Sequence, residues 1–342
     1  LKEGAPVLWQ ELGSNLAFDA EHGDKKACDA AFARAERIVS LDLVNNRVVA
    51  NFLEPRGAIG AFDAASGRYH LTVTSQGVHL LQPVLADEVF GVPRERMHVM
   101  TPDVGGGFGT KYFTYREYAL VLFAAERIKR PVAWIGERME HFLGDYHGRD
   151  HVSHAELALD GEGNFLAVRA DTIANMGAYL GQMAVFVGIA GGGMVPGCYR
   201  TPAAHIRMRG AYTNTAPVDA YRGAGRPEAA YLIERLVDKA AREIGLAPDE
   251  IRRRNMIAAG EIPFATPTGR VYDSGDFAAH MTQAMERADW AGFAAREKDS
   301  RAAGLIRGIG MATYIEACAG GGPEEARIDL GPDGTATIRI GT

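Results

Sequence analysis

The chain has 342 residues, 47% of them hydrophobic and 23% charged, with a formal net charge of −6. That length accommodates two or three domains, or one large α/β unit with an extension. The acidic balance excludes the basic stripe that a nucleic-acid partner needs, and no run of about 18 apolar residues offers a membrane span. Cys28, Cys198 and Cys318 lie far apart, with no Cys-x-x-Cys pair. Local sequence therefore builds no zinc site, no iron–sulfur site and no disulfide framework. A reducing compartment, the cytoplasm, is the expected location, with the oxidising periplasm as the alternative. Leu1 stands where an initiator Met would be, and the chain closes at Ile340-Gly341-Thr342, straight after a strand pattern, so it reads as a fragment.

Residues 1–35 are weakly patterned, rich in Gly, Ala and charge, and read as a linker. Residues 37–52 alternate apolar and polar in two strand-like stretches. Residues 69–74 read as a strand that runs through Ser75-Gln76-Gly77 into helical spacing over 78–90. A second strand, 97–100, leads into Asp103-Val104-Gly105-Gly106-Gly107-Phe108-Gly109-Thr110. A helix is expected over 112–128 and a third strand over 132–135. Strand, tight turn, helix and strand thus occur twice in succession, the rhythm of a layered α/β unit. Residues 154–159 and 165–170 flank Asp160-Gly161-Glu162-Gly163-Asn164 and predict a hairpin. Residues 188–193 read as a glycine-rich loop, 205–212 as a strand, and 227–244 as an amphipathic helix with Pro227 in its first turn. A short basic helix over 249–255, one further helix over 277–297 and a hairpin over 326–340 complete the pattern. The expected fold class is α/β (mixed α+β), large and irregular, without an internal repeat.

Three turns carry candidate chemistry. Gly105-Gly106-Gly107-Phe108-Gly109 sits between a strand and a helix, where missing Cβ atoms permit a sharp turn and a close ligand approach. Amides at the following helix start favour an anion or an oxygen-rich group. Neither nucleotide motif fits: the P-loop needs Gly directly before Lys-Ser/Thr, and the dinucleotide fingerprint needs Gly where Thr110 stands. A plain tight turn explains the spacing equally well. Arg222, flanked by small residues in Asp219-Ala220-Tyr221-Arg222-Gly223-Ala224-Gly225-Arg226-Pro227-Glu228, offers a planar fork of donors; a surface ion pair is the simpler reading. Gln76 offers a donor and an acceptor, with a helix-start hydrogen bond beside a Ser75 N-cap as the simpler alternative.

In order, Thr74-Ser75-Gln76, the Gly-Gly-Gly-Phe-Gly turn, Ala220-Tyr221-Arg222-Gly223-Ala224-Gly225-Arg226-Pro227-Glu228 and Pro248-Asp249-Glu250-Ile251-Arg252-Arg253-Arg254-Asn255-Met256-Ile257 resemble the large subunit of molybdenum hydroxylases. This is the xanthine dehydrogenase / aldehyde oxidase / carbon monoxide dehydrogenase family. The resemblance spans nearly all of the chain after residue 35. It implies an incomplete molybdopterin-binding domain: a linker over 1–35 from an N-terminal domain outside this chain, a first molybdopterin-binding domain over 36–305, and the truncated start of a second over 306–342. The implied cofactor is molybdenum–molybdopterin, in its cytosine dinucleotide form. The metal is held through the pterin rather than by side chains. Iron–sulfur clusters and FAD are implied on partner subunits or on sequence outside this chain. Gln76 is implied to hydrogen-bond an apical ligand of the metal. Gly107, Phe108 and Gly109 would approach the cofactor through the backbone, and Arg222 would stand beside the metal centre.

The resemblance also places the substrate pocket. Purine-oxidising members carry a Glu four positions after the Phe of the glycine turn, where this chain has Tyr112, and a stacking Phe where it has Ala224. Carbon monoxide dehydrogenases carry a copper-binding Cys where Gly223 stands. An aldehyde or an N-heterocycle, hydroxylated with water as the oxygen source, is the expected small-molecule substrate. The implied catalytic base, a Glu in a Gly-Val/Ile-Gly-Glu context, lies beyond Thr342, so no catalytic residue is assigned here. Glu228 and Glu316 have no motif to support them in that role. The rival readings are a noncatalytic fragment with an empty half-site, and an unrelated nucleotide-binding enzyme using the glycine turn for phosphate.

Overall fold

Two sheets organise the chain, and the computed structural model describes residues 1–2, 4–317 and 325–340. The larger sheet has the order β1 (Leu16–Gly23), β9 (Ala203–Tyr212), β8 (Phe165–Gly177), β7 (His151–Leu159), β2 (Arg37–Asn45). Only β8 and β9 run parallel. Helix α1 (Lys25–Ala33) packs Cys28, Ala31 and Phe32 against Ala158, Ala167 and Ala203 on one face. The opposite face, with Leu157, Val168 and Ile206, is covered by α6 (Arg226–Ile244). Strand β8 buries Val168, Ala170, Thr172, Ala174 and Met176 on one face, while Arg169, Asp171, Ile173 and Asn175 on the other are half-buried.

Helix α6 follows from its sequence. Ala229, Leu232, Ile233, Leu236, Val237, Ala240 and Ala241 recur at helical spacing and are all buried. Each Leu, Ile or Val of that stripe contributes about 1.5–3 kcal/mol relative to exposure. Gly225 at φ +92° starts the helix, Pro227 lies in its first turn, and Gly245 at φ +73° ends it by donating to the Ala241 carbonyl.

The smaller sheet has the order β5 (Met97–Met100), β4 (Arg68–Val73), β3 (Gly57–Asp63), β6 (Val132–Ile135), with β4 and β5 parallel. Helix α3 (Arg116–Ile128) crosses β3 at Gly60, where a Cβ would come within 2.6 Å of the Val121 backbone. Helix α2 (Val78–Pro83) continues as a π-helical stretch over Val84–Phe90, stopped by Gly91 at φ +61°. Helix α4 (Arg138–Gly144) follows β6. Beyond α6 come α7 (Pro248–Asn255), the small pair β10 (Phe264–Ala265) and β11 (Val271–Tyr272), α8 (Phe277–Arg287), α9 (Phe293–Ala302), and the hairpin of β12 (Ala326–Leu330) and β13 (Ala336–Ile340). No described helix is long and apolar enough to cross a membrane. Cys28 and Cys198 are buried free thiols, and Cys318 lies outside the described residues.

Four local expectations are corrected. Residues 1–35 are not only a linker, because they contain β1 and α1. Strand β1 has weak apolar periodicity because it is an edge strand whose Asp19 and Glu21 pair with Arg207 and His205 of β9. Residues 188–193 belong mostly to a helix, α5 (Ala184–Gly192). Its glycines serve close packing: a Cβ on Gly191 would come 2.8 Å from the Gly225 carbonyl oxygen, at the start of α6. The helix expected over 112–128 begins only at Arg116, after a single 3-10 turn over Thr110–Tyr112. The helix expected over 277–297 is two, because Asp289 at φ +47° turns the chain and accepts from the Gly292 amide.

Candidate functional site: a donor-lined cavity between two turns

Parallel β4 and β5 open their carboxyl ends on the same edge of the smaller sheet, the usual place for a ligand in such layers. Gln76 leaves β4 there, and the glycine turn leaves β5. The turn needs its glycines: Gly106 and Gly109 have φ of +87° and +102°. A Cβ on Gly107 would lie 2.3 Å from Gln76 Oε1, and one on Gly109 would lie 2.4 Å from the Ala220 carbonyl oxygen. Gln76 Oε1 accepts from the Gly109 amide at 2.9 Å. That bond fixes the side-chain amide and leaves its Nε2 hydrogens without a partner among the described residues. The amides of Gly106, Gly107 and Phe108 likewise make no hydrogen bond within the described chain.

The second turn comes from the larger sheet and ends in α6. Arg222 N–H donates to the Phe108 carbonyl at 3.0 Å, which stitches the two turns together. The Arg222 guanidinium forms no ion pair or hydrogen bond among the described residues. Between the turns lies an open cavity of about 480 Å³ lined by Gln76, Val104, residues 106–109 and Arg222. All five residues expected to hold the cofactor are therefore brought together. The lining offers amide and guanidinium donors and contains no His, Cys, Asp or Glu. It suits an oxygen-rich, anionic group, and any metal here must arrive on an organic ligand of its own. No group of three metal-ligating side chains occurs among the described residues.

Residues 8–256 match the molybdopterin cofactor-binding domain family. The chain belongs to that family. It is 33% identical to the carbon monoxide dehydrogenase large chain of Hydrogenophaga pseudoflava, over all of this chain and 46% of the relative. It is also 33% identical to the nicotine 6-hydroxylase large subunit of Paenarthrobacter nicotinovorans, over 92% of this chain and 38% of that subunit. The fold superposes on quinoline 2-oxidoreductase from Pseudomonas putida 86 with a TM-score of 0.88 and 28% identity, covering 98% of this chain and 44% of the other. The chain thus spans less than half the length of the relatives it matches. A molybdopterin fits the cavity, since it brings its own sulfur ligands for the metal and presents oxygens to the donors.

Not every group expected at the site is a free donor in this cavity. Gly109 has no free amide, because Gln76 takes it; the free amides of the glycine turn are those of residues 106–108. Tyr112 does not line the cavity. Its half-buried ring sits beneath Gly77, where a Cβ would come within 2.9 Å, and packs edge-on to Phe113 at 5.8 Å. Ala224 does not line it either, but closes the second turn at φ +42° with its amide on the Tyr221 carbonyl at 2.7 Å. Gly223 stands at φ +93°, and a Cβ there would lie 2.3 Å from the Pro227 ring, so this turn has no room for a cysteine. Glu228 is buried and pairs with Arg149, and Glu316 contacts Arg226 at 3.3 Å; neither lines the cavity.

The reading of the sequence missed a clamp on the glycine turn. Lys111, fully buried, reaches Glu54 Oε2 at 2.7 Å, and the same oxygen accepts from the Gly105 amide at 2.8 Å. One carboxylate thereby holds both ends of the turn. Burial pulls the Lys111 amine below its ordinary pKa, and Glu54 opposes that by stabilising the charge. Lys111 was visible only as the residue that spoils a P-loop, and Glu54 has no local pattern at all.

Asp219, also missed, is 1% exposed and accepts from the Ala220 and Met183 amides at 2.6 and 3.2 Å. Burial, against those two hydrogen bonds, raises its pKa from 3.8 to about 6. The folded carboxyl thus binds its proton more tightly than the unfolded one. Its contribution to stability is complete below the unfolded value and is lost as pH rises through about 6. The loss amounts to about 3 kcal/mol, at roughly 1.4 kcal/mol per pKa unit. Asp219→Asn should flatten the pH dependence of the urea midpoint between pH 4 and 7, raising it at pH 7.5 and not at pH 4. Parallel curves for the two proteins would contradict this.

Proposed function

We propose that this chain is part of the catalytic large subunit of a molybdenum-dependent hydroxylase that oxidises an aldehyde or an N-heterocycle, with water as the oxygen source. The observation that carries the reading is the convergence of Gln76, the free amides of residues 106–108 and the unpaired Arg222 on one donor-lined cavity, in a chain of this family. When bound, the molybdenum centre supplies the two-electron redox chemistry. The chain's own residues bind and orient. Gln76 Nε2 and the turn amides donate to oxygens of the cofactor. Arg222 contributes a positive charge at the exposed rim of the cavity, beside the turn amides. The catalytic base, a Glu by the family resemblance, is assigned to sequence outside this chain. So is the other half of the cofactor cavity, since the described half is open to solvent. Residues 306–342 are proposed to begin a second molybdopterin-binding domain, after a first one ending near residue 305.

The substrate class is inferred from the residue types at positions where the family resemblance, not the described cavity, places the substrate pocket. Tyr112 and Ala224 replace the polar anchor and the stacking ring of a purine site, and Gly223 excludes a copper-binding thiol. Two of the relatives named above carry N-heterocycles, nicotine and quinoline, in their names. The cytosine dinucleotide form of the cofactor, iron–sulfur and flavin partner subunits, and a cytoplasmic location complete the proposal. The test uses the full-length enzyme with its partners, assayed for molybdenum by mass spectrometry and for turnover in ¹⁸O-labelled water. Labelled carboxylate or hydroxylated heterocycle is expected, with weak turnover of xanthine. Efficient xanthine oxidation would overturn the substrate class, and absence of molybdenum from an active enzyme would overturn the assignment.

A further inference from the structure

Resting on that molybdopterin site, we propose that Arg149 and Glu228 are positioning residues for Arg222. Both backbone polar groups of Arg222 are committed. Its N–H donates to the Phe108 carbonyl at 3.0 Å, and its carbonyl accepts from Arg149 Nη2 at 2.7 Å. Arg149 Nη1 donates to the Tyr221 carbonyl at 3.3 Å and to Glu228 Oε1 at 3.1 Å, and the guanidinium lies 4.8 Å over the Tyr221 ring. A planar fork holds two successive carbonyls and a carboxylate in fixed directions, a geometry that the compact, freely rotating ammonium of a lysine does not impose. Among the described residues, the Arg222 side chain is the one part of the residue without a partner.

The segment carrying Arg149 is held in an unfavourable conformation to achieve this. Arg149 and Asp150 have φ of +66° and +68°, two consecutive left-handed residues with no glycine between them. Neighbours over-determine that shape. Asp150 Oδ2 accepts from Arg47 Nε at 2.8 Å and Asn175 Nδ2 at 3.0 Å, and its carbonyl accepts from the Asn175 amide at 3.0 Å. Strain maintained by several independent contacts is characteristic of placing a functional group. The Arg149–Glu228 pair is also poorly arranged for stability alone. Glu228 Oε2 is buried with no hydrogen-bond partner, and a buried ion pair with an unsatisfied oxygen gains little net free energy. Glu228 lies in the first turn of α6 directly after the Arg222 turn, so it fixes the Arg149 guanidinium relative to the helix that starts there.

The test compares Arg149→Lys, Glu228→Gln, Arg222→Ala and the double variant R149K/R222A in the full-length molybdenum enzyme. Arg149→Lys keeps the charge opposite Glu228 and loses the fork. Its kcat per molybdenum should fall about 10–100-fold, the scale of a catalytic group displaced by less than an ångström or so. The Mo(V) electron paramagnetic resonance signal should change, and amide exchange at residues 221–224 should accelerate. The melting temperature should stay close to that of the parent. Glu228→Gln should move the same readouts less far, and amide exchange on it reads the couple even if Arg149→Lys does not fold. The double variant should be no worse than Arg222→Ala alone, because both act through one group. A lower melting temperature with unchanged kcat, Mo(V) signal and turn exchange overturns the proposal and makes the pair a strut. If Arg222→Ala leaves kcat, Mo(V) signal and molybdenum content intact, the molybdopterin site itself is misplaced. If Arg222→Ala is severe and Arg149→Lys is silent, only the positioning role fails.

Discussion

Replacing Arg222 with Ala in the full-length enzyme should cut kcat per molybdenum by roughly 10²–10³-fold, the usual loss when one fixed electrostatic donor is removed from a site. Stability should change by less than about 0.5 kcal/mol, because an exposed side chain without a protein partner carries no folded-state contact to lose. The two effects differ by enough to separate them cleanly. Steady-state kinetics normalised to molybdenum, with a thermal melt of the same sample, checks both. A large fall in melting temperature with normal turnover per folded molecule would assign Arg222 to the scaffold instead. Arg222→Lys should recover only part of the activity, since a point charge does not reproduce a planar fork.

Gly109→Ala should be the most damaging single methyl group in the chain's glycine turn. Its Cβ would meet the Ala220 backbone at 2.4 Å, and φ of +102° is a conformation that alanine rarely adopts. The strain alone costs about 1–3 kcal/mol. Relief requires the two turns to separate, which breaks the Arg222–Phe108 bond and frees Gln76 from the Gly109 amide. Activity should fall by roughly 10²-fold or more, as expected when a site loses its spacing, and molybdenum content should fall with it. Gly107→Ala makes the informative comparison. Its Cβ would meet the Gln76 side chain, from Oε1 at 2.3 Å to Cγ at 3.0 Å, rather than backbone. That side chain can turn away at the loss of its bond to the Gly109 amide, so the destabilisation should be smaller than for Gly109→Ala while the Gln76 donor is displaced. Urea midpoints and metal content of the two variants decide the matter: equal destabilisation would show that the turns are not packed as closely as described.

Much of the fold was legible in the sequence where one physical signal dominated. The β7–β8 hairpin was marked by turn chemistry at residues 160–164, and α6 by its apolar stripe and its Pro and Gly ends. Four segments in order, with residues 248–257 as the last, placed the chain in its family, and the structure gathers Gln76, residues 107–109 and Arg222 from three of them around one cavity. Tertiary structure decided the rest. Strand β1 exists because it pairs with β9, and its charged residues hide that pairing from any periodicity. The glycines of α5 read as a loop because their packing partner, Gly225, is remote in sequence and becomes adjacent only when α5 and α6 meet. Glu54, Arg149 and Asp219 had no local signature, since each acts on a turn that only the fold brings within reach. A sequence by itself determines which groups are able to donate, turn or cap. Which of those groups end up without a partner, and so remain free for a ligand, depends on long-range packing that consumes the others. Among the described residues around this cavity, it left Gln76 Nε2, the amides of Val104, Gly106, Gly107 and Phe108, and the Arg222 guanidinium.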